Sequence, residues 1–327
     1  MSATQNTDWT ITLVNGRPDQ DLLRRITALA AEAEDSDGNP PLSDQTIVEL
    51  RTGEASEGLM VVTAWLCDDD GAVSGELVGV AVAVSTGDPT PGTLELVVHP
   101  EYRNDGIGAA LLASLDARSP LEAMQAWSHG NHAAASRLAQ RHGFVPIREL
   151  WRMRLMHDAG LPAAEMPPGY RLRRFVPGQD EEAWLAANAA AFVDHAEQGS
   201  MTRADLLARM DEDWFDPEGF LIAEAGDGSI AGFHWTKVHP PLKDSATGAH
   251  QSLGEVYVVG VVPAAQGTGL GRALTIAGIE HLRSRGLQAV MLYVDADNTA
   301  AVGLYNKLGF TRWDVDVMYA HGTTTAG

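Results

Sequence analysis

The clearest structural signal in this chain is Glu255-Val-Tyr-Val-Val-Gly-Val-Val-Pro-Ala-Ala-Gln-Gly-Thr-Gly-Leu-Gly-Arg-Ala-Leu274. Its apolar run, glycine-rich turn and helical pattern predict a strand that leads into a helix. Main-chain N–H groups at such a helix start can bind a phosphate. The spacing G-x-G-x-G differs from the dinucleotide fingerprint, and the G-K-[ST] of a P-loop is absent. For a single copy, a turn that serves packing alone is the alternative.

A second copy of this pattern lies earlier in the chain, at Leu94-Glu-Leu-Val-Val-His-Pro-Glu-Tyr-Arg-Asn-Asp-Gly-Ile-Gly-Ala-Ala-Leu-Leu112. In both copies an Arg or Gln stands three residues after the proline, and x-x-Gly-x-Gly follows it. An Asn and a Gly-Phe pair come further downstream. Gly106 and Gly269 are 163 positions apart, and the pairs at Gly143 and Gly309 are 166 apart. Two motifs with nearly one offset indicate an internal duplication.

Helical and strand patterns alternate in both halves, which predicts an α/β fold for each. The predicted helices are 21–33, 44–51, 181–191 and 203–211, and the predicted strands include 58–65, 76–85, 220–224 and 231–236. Three prolines interrupt the periodicity over 157–168, so we place a linker there, between an N-terminal domain at 1–156 and a C-terminal domain at 169–327. The acidic run 68–71 is interpreted as a solvated hairpin turn.

The composition excludes several classes of partner. The formal net charge is −21, from 23 Lys and Arg against 44 Asp and Glu residues, which argues against nucleic acid and anionic membranes. Cys67 is the single cysteine, so an intrachain disulfide is excluded. Neither a secretory leader nor an apolar run of about 20 residues is seen, so we expect a cytoplasmic protein. A polyanionic ligand would need local hydrogen-bond donors.

The loop [Gln/Arg]-x-x-Gly-x-Gly after a strand resembles the acetyl-CoA pyrophosphate loop of the GNAT acetyltransferase superfamily. More narrowly, the chain resembles the mycothiol synthase family, weakly near its start and strongly after Phe220. The segments that carry this likeness are Ala196–Gly199, Trp214–Pro217, Phe233–His239, Gly254–Pro263 and Leu292–Val302. The resemblance implies two tandem GNAT-type domains, each a mixed twisted sheet flanked by helices, with acetyl-CoA as co-substrate and a thiol pseudodisaccharide as acceptor.

The resemblance also implies which residues bind acetyl-CoA. In the second copy they lie at the strand end, the loop, the helix start and the downstream Asn: Val259, Gly260, Val261, Gln266, Gly267, Thr268, Gly269, Leu270, Gly271, Arg272, Asn298, Thr299, Ala300, Ala301, Val302 and Gly303. The matching residues of the first copy are Leu96, Val97, Val98, Asn104, Asp105, Gly106, Ile107, Gly108 and Ala109.

Amide formation from a thioester needs a neutral amine and a proton for the leaving thiolate. An α-amino group with an unperturbed pKa near 7.7–8.0 is about one-tenth neutral at pH 7. A general base is therefore useful, but the proton removal that it must supply is small. By resemblance, Glu255 takes the amine proton and Tyr305 protonates the coenzyme sulfur. Asn298 and Tyr305 are two helical turns apart and can face one site. The alternatives are a solvent-facing edge carboxylate for Glu255 and a packing tyrosine for Tyr305.

The first copy lacks both catalytic groups. Its tyrosine position is Leu138 or Ala139, depending on whether the copies are aligned on the Asn or on the Gly-Phe pair. Gly92 stands where the second copy has Glu255. We therefore expect catalysis in the C-terminal domain, and a non-catalytic N-terminal domain that binds acetyl-CoA or serves as a scaffold.

The resemblance places the acceptor amine on the cysteinyl group of a glucosamine–inositol pseudodisaccharide. Its ammonium and hydroxyl groups call for carboxylates and other hydrogen-bonding side chains. Matching positions are Asp44, Glu197, Lys237, Glu255 and Tyr293, although each alone could be an ordinary surface residue. Asp44 stands where the family often has Glu. Because Asp44 comes from the first half and the others from the second, we expect an acceptor site between the domains.

Two other functions remain open at this stage. One is a GNAT enzyme for a different amine, such as a protein N-terminus, an aminoglycoside or a small amine, and the other is a non-catalytic acetyl-CoA-binding regulator. His129 and His132 lack an evident third ligand, so we expect no metal. The duplication gives one chain an internal pseudo-dimer, so a monomer is the expected state.

Overall fold

The computed structural model describes residues 9–52, 58–68, 73–85, 91–118, 121–193, 196–239, 242–243 and 250–322. Its strands are β1 (Trp9–Asn15), β2 (Leu59–Cys67), β3 (Val73–Val84), β4 (Gly92–Val98), β5 (Met124–Ser128), β6 (Phe144–Met156), β7 (Tyr170–Arg174), β8 (Phe220–Ala225), β9 (Ile230–Val238), β10 (Leu242–Lys243), β11 (His250–Gln251), β12 (Leu253–Val261), β13 (Ala289–Asp295) and β14 (Thr311–His321). Its α-helices are α1 (Gln20–Asp37), α2 (Asp44–Thr52), α3 (Ile107–Asp116), α4 (Ala133–Arg141), α5 (Glu181–Ala191), α6 (Ala196–Gly199), α7 (Arg203–Met210), α8 (Leu270–Ser284) and α9 (Thr299–Lys307).

The described residues form two compact units. The first contains those up to Leu150 and those from Val315 onward, and the second contains those from Trp151 to Asp314. In the first unit the strands are ordered β1-β2-β3-β4-β5, followed by residues 315–321 of β14. In the second unit residues 151–156 of β6 are followed by β13-β12-β9-β8-β7. Among the described residues, β4 pairs in parallel with β5 and β12 pairs in parallel with β13. The mixed sheet flanked by helices, expected from the sequence, is therefore present twice.

In the first unit helices cover both faces of the sheet. Ile107 and Leu111 of α3 pack into a core on one face. Ile26 and Leu29 of α1 pack into a second core on the other face. Asp19 caps α1 by accepting a hydrogen bond from the N–H of Leu22 at 2.8 Å, which satisfies one of the unpaired donors of the first turn.

In the second unit α8 covers one face of the sheet and α5 the other. Ile276 and Ile279 of α8 pack in a core with Leu292 of β13. On the α5 face, Trp184 lies edge-on to Phe220 and Trp235, at ring-centroid distances of 5.4 and 5.7 Å. This aromatic core lies beneath the strands that carry the candidate site.

The observed elements match most of the predicted ones, with small differences at the ends. Helix α5 has the predicted bounds, whereas α1 continues four residues past its predicted end to Asp37 and β3 begins three residues early at Val73. Within the acidic run, residues 69–71 lie outside the described residues. Among the described helices, none is both long and apolar enough to span a membrane.

The division between the units differs from the boundaries expected from the sequence. Residues 315–321 of β14 belong to the first unit, where Val317 pairs with Ser128 of β5. The segment expected to be a linker lies in the second unit, where Leu161 packs against a core cluster and Arg283 donates a hydrogen bond to the carbonyl of Ala159. Strand partners are chosen by tertiary pairing, so prolines and composition do not reveal them.

Candidate active site

Strand β12 lies between β9 and β13 and carries the central residues of the candidate site. Its parallel ladder with β13 extends as far as the pair Val256–Leu292, and both strands continue beyond it. On the β9 side the register shifts between Val256 and Val258, which marks a bulge at Tyr257. A bulge bends a strand and redirects its side chains. An extended ligand can therefore add its own hydrogen-bonding groups along this end of β12.

Glu255 is opposite Lys237 of β9 and opposite Met291 of β13. Residues directly opposite each other, and residues two apart on one strand, share a face of the sheet. Lys237, Glu255 and Tyr293 consequently lie on the same face of the second unit. Because β12 is an interior strand and Glu255 is 5% exposed, the alternative of a solvent-facing edge carboxylate does not hold.

Two further contacts define the surroundings of Glu255. Its Oε2 atom lies 2.7 Å from Nε2 of His239, which follows β9 directly. The ammonium of Lys237 lies over the rings of Trp214 and Tyr257, 4.9 and 5.4 Å from their centroids. His239 is not among the site residues predicted from the sequence. The alternation Lys237-x-His239 at the end of a strand was the signal that could have placed both side chains on one face.

Tyr305 lies in α9, where it is 9% exposed. It packs in the core cluster that contains Val256 and Val259 of β12, and its ring lies 5.7 Å from that of Phe310. Burial raises the pKa of Tyr305 to about 12. Tyr305 is therefore a packing residue, as one of the two sequence interpretations states. Its phenol also keeps its proton at neutral pH, which a proton donor requires.

The glycine-rich loop of the second unit connects β12 to α8. The Gln266 side chain donates to the carbonyl of Val261 at 3.2 Å, which fixes the loop to the strand end. Gly267 and Gly269 have φ values of 75° and 89°, in the left-handed region that favours glycine. No side chain caps the start of α8 at Gly269, so the first N–H groups of the helix are presented to a ligand.

Two more predicted cofactor residues flank this loop. Arg272 is exposed in the first turn of α8, where its charge can reach an anion at the helix start. Asn298 caps α9, since its Oδ1 accepts from the N–H of Ala301 at 3.1 Å. Glycine conformation, an uncapped helix start and a nearby guanidinium together fit the pyrophosphate of coenzyme A.

The loop of the first unit repeats part of this geometry. Arg103 donates to the carbonyl of Val98 at 3.1 Å, as Gln266 does in the second unit, and its guanidinium also forms a bidentate ion pair with Asp37. The loop differs in charge. It carries the exposed Asp105 and has Ala109 where the second loop has Arg272. Its local field is thus less favourable for an anion.

The structure resolves which first-unit residue occupies the tyrosine position. Helices α4 and α9 each have nine residues and precede the repeated Gly-Phe pair, so aligning them places Ala139 opposite Tyr305. A side chain is also excluded at Gly92, because a Cβ atom there would lie 2.6 Å from Sδ of Met124. Neither Gly92 nor Ala139 supplies the carboxylate or the phenol of its counterpart.

The first unit contains a buried charged cluster that the sequence patterns did not reveal. His129 lies between two carboxylates, with Nδ1 3.0 Å from Asp316 and Nε2 3.3 Å from Glu95. The side chains of Glu95 and Asp316 are 0% and 2% exposed. Glu95 also accepts from the N–H of Ser43, directly before α2. Burial lowers the pKa of His129, but its two carboxylate neighbours raise that pKa by more and so hold the imidazole as a cation.

Two predicted acceptor residues lie on helices. Asp44 is the exposed first residue of α2 in the first unit. Glu197 lies in α6, and its side chain is outside the described residues. Within the described parts of the chain, no group of three His, Cys, Asp or Glu residues could hold a metal ion.

Comparison with known proteins places both units in one superfamily. The family described as "Acetyltransferase (GNAT) family" matches residues 184–310, and the one described as "Acetyltransferase (GNAT) domain" matches residues 62–146. A GCN5-related N-acetyltransferase structure from Sphaerobacter thermophilus aligns with a TM-score of 0.64 at 24% identity, covering 94% of each chain. A tandem GNAT protein from the clavulanic acid biosynthesis pathway aligns with a TM-score of 0.66 at 18% identity, covering 95% of this chain and 98% of its own. These two likenesses concern the fold.

Relatives identified by sequence are much more similar to this chain than these two structures are. A mycothiol acetyltransferase from Arthrobacter sp. (strain FB24) is 57% identical over 323 residues, covering 98% of each chain. One from Pseudarthrobacter chlorophenolicus is 54% identical over 315 residues, covering 95% of this chain and 96% of its own. The chain therefore belongs to the GNAT acetyltransferases and, among them, to the mycothiol acetyltransferase family.

Proposed function

We propose that the second unit transfers the acetyl group of acetyl-CoA to the cysteinyl amine of cysteinyl-glucosaminyl-inositol, which gives mycothiol. The observation that carries the proposal is the position of Glu255. It is a buried carboxylate on the strand that leads into the anion-binding loop, and it shares its sheet face with Lys237 and Tyr293. The 57% identity to a mycothiol acetyltransferase supports the choice of acceptor.

Each residue of the proposed site has a separate role in the acetyl transfer. Acetyl-CoA supplies the acyl group as a thioester. Glu255 accepts a proton from the acceptor ammonium, so that the neutral amine can form the new C–N bond as the C–S bond breaks. Tyr305 donates its phenolic proton to the leaving thiolate. The second proton, which the nitrogen releases as the amide forms, passes through solvent to the Tyr305 phenolate and restores the phenol. The loop Gln266–Arg272 binds the pyrophosphate through main-chain N–H groups.

Acceptor recognition is proposed to use the hydrogen-bonding side chains predicted from the sequence. Lys237 and Tyr293 would contact the hydroxyl groups of the pseudodisaccharide, while Asp44 and Glu197 would bind its polar groups or its ammonium.

The direct test is acetylation of a panel of amines. The protein is incubated with acetyl-CoA and cysteinyl-glucosaminyl-inositol, an aminoglycoside, a peptide N-terminus or a small amine, and the acetylated product is measured by mass spectrometry. Mass detection is preferred because the acceptor itself carries a thiol. Turnover that is highest on the pseudodisaccharide supports the proposal. Turnover on another amine alone contradicts the choice of acceptor but keeps the enzyme class.

Replacing Tyr305 with phenylalanine is expected to lower kcat by about 10²-fold or less. The effect stays at the low end for a general acid because a thiol with an unperturbed pKa near 8.5 is a tolerable leaving group unaided. Phenylalanine keeps the packing against Val256 and Val259, so the fold should be preserved. Steady-state kinetics at saturating substrates measure the change. An unchanged kcat would remove Tyr305 from the acid role.

We assign the first unit no catalytic role, because Ala139 and Gly92 occupy the positions of the two catalytic groups. A chain that carries both Glu255→Gln and Tyr305→Phe tests this division. It should bind acetyl-CoA with unchanged affinity and lose at least as much activity as Glu255→Gln alone. Substantial residual turnover would place catalysis in the first unit as well.

Replacing Asp105 with asparagine is expected to tighten acetyl-CoA binding at the first unit by about 2- to 5-fold, because it removes a negative charge beside a helix start that would bind an anion. Calorimetric titration of the full chain with acetyl-CoA measures both sites together. The reciprocal change, Thr268→Asp, should weaken acetyl-CoA binding at the second unit. It therefore identifies which of the two binding events in the titration belongs to which loop. An unaltered first-site affinity would mean that Asp105 does not face the bound phosphates.

A further inference from the structure

The closest polar contact of the proposed base is to a side chain with no assigned role. Nε2 of His239 lies 2.7 Å from Oε2 of Glu255. This is the short distance expected for a charge-assisted hydrogen bond to a carboxylate. The histidine side chain is 16% exposed and the glutamate side chain 7%, so the imidazole is the more accessible member of the pair.

The backbone holds His239 in this place. Its main-chain N–H donates to the carbonyl of Leu253 at 2.9 Å, which continues the β9–β12 ladder by one step beyond the pair Val238–Gly254. His239 is two residues after Lys237, so both lie on the face of Glu255. The imidazole therefore reaches Glu255 from a position fixed by the sheet and not from a loose loop.

The ammonium group on this face has different neighbours. Lys237 is opposite Glu255 in register, and its ammonium is stacked over the rings of Trp214 and Tyr257. Tyr257 in turn hydrogen-bonds to Arg209 at 3.1 Å. Lys237 thus packs against aromatic rings, and His239 is in direct hydrogen-bond contact with the carboxylate.

A carboxylate that acts as a base must be held so that one oxygen faces the amine. Its two oxygens are equivalent until a donor binds one of them. A donor at Oε2 fixes the rotation of the carboxylate group and leaves Oε1 to face the acceptor.

We infer that His239 is a positioning residue for Glu255: its Nε2–H binds Oε2 and thereby aims Oε1 at the acceptor amine. The inference rests on the proposed function of Glu255 as the base. It adds a residue that acts through the base and does not itself touch the reacting atoms.

Replacing His239 with alanine should lower kcat by about 10- to 100-fold, the range for losing one hydrogen bond to a charged group, with little change in the KM for acetyl-CoA. Glutamine at the same position can place its side-chain N–H near the imidazole Nε2, so His239→Gln should recover most of the activity. His157→Ala is the matched control. It removes an imidazole that hydrogen-bonds to the carbonyl of Leu287 elsewhere in the second unit, and its kcat should be unchanged.

The deciding experiment is a double-variant cycle on whichever amine the wild-type protein acetylates, with acetyl-CoA binding and Tm measured for every variant. If His239 acts through Glu255, His239→Ala should add little to the loss already caused by Glu255→Gln. Multiplicative losses, or a fully active His239→Ala protein beside an impaired Glu255→Gln protein, would overturn this inference alone. A fully active Glu255→Gln protein would instead overturn the proposed base. Failure of His239→Gln to recover activity in a folded protein would rule out a donor role.

Discussion

Replacing Glu255 with glutamine is expected to lower kcat on the pseudodisaccharide acceptor by about 10²- to 10³-fold at pH 7. Glutamine has nearly the same size and remains a hydrogen-bonding partner, so it fits the buried position beside Lys237 and His239. It cannot accept a proton, and the amine then reacts only from its neutral fraction or with help from solvent. Steady-state kinetics at saturating acetyl-CoA measure the loss.

The pH dependence of this loss follows from the acceptor. An α-amino group with an unperturbed pKa near 7.7–8.0 is about one-tenth neutral at pH 7 and mostly neutral at about pH 9. The ratio of wild-type to Glu255→Gln activity should therefore shrink by up to about tenfold between these two values. A ratio that stays constant over this range would indicate that Glu255 acts by binding the acceptor and not by removing its proton.

A matched control is available on α8. Glu280 is exposed, and Glu280→Gln makes the same change of charge in the same unit. Its kinetics should equal those of the wild type. A similar loss in both variants would point to a general effect of net charge on an already acidic protein.

The second large effect is expected on stability. Replacing His129 with alanine should lower the free energy of unfolding by about 3–5 kcal/mol, because it leaves the buried carboxylates of Glu95 and Asp316 without their cation. Both carboxylates are inaccessible to solvent, and water cannot replace the lost partner without rearrangement. Chemical denaturation followed by tryptophan fluorescence and circular dichroism measures the change. A loss below about 1 kcal/mol would mean that the cluster contributes little net stability.

The same cluster predicts a specific response to pH. Burial, the largest single effect, disfavours the charged imidazole, but hydrogen bonds to Asp316 and Glu95 outweigh it and raise the pKa of His129 to about 10. Since this is above the ordinary histidine value of 6.5, the stabilisation is complete below pH 6.5 and is lost as pH rises through 10. The stability difference between the wild type and His129→Ala should therefore fall as pH rises from about 7 to about 10.

At acidic pH the stability contributed by this cluster changes with pH in the opposite direction. Burial raises the pKa of Glu95, but its hydrogen bonds with His129 and with the N–H of Ser43 outweigh this and hold that pKa below the ordinary glutamate value of 4.5. The contribution of Glu95 is thus present above that value and lost as pH falls below it. His132→Ala is the control, because His132 is a neighbouring histidine with a side chain that is 43% exposed. Its stability and pH profile should follow the wild type.

Much of the fold and part of the candidate site could be predicted from local sequence. The two glycine-rich loops, the repeated Asn and Gly-Phe positions and helix α5 are all local patterns that depend on backbone conformation and periodicity. The prediction that Lys237, Glu255 and Tyr293 belong to one site came from resemblance. Strand register then explains why they share a face. The acceptor role of Asp44 and Glu197 stays a prediction.

What the sequence determined by itself is the duplication and its asymmetry: Glu255 and Tyr305 in one copy, Gly92 and an apolar residue in the other. Only the tertiary structure decided which residues meet. Residues 315–321 join the first unit, which brings Asp316 to His129 across 187 positions, and the β9–β12 register brings His239 to Glu255. The physical reason is that local patterns fix the conformation of a strand, whereas its partners depend on burial and register summed over the whole sheet.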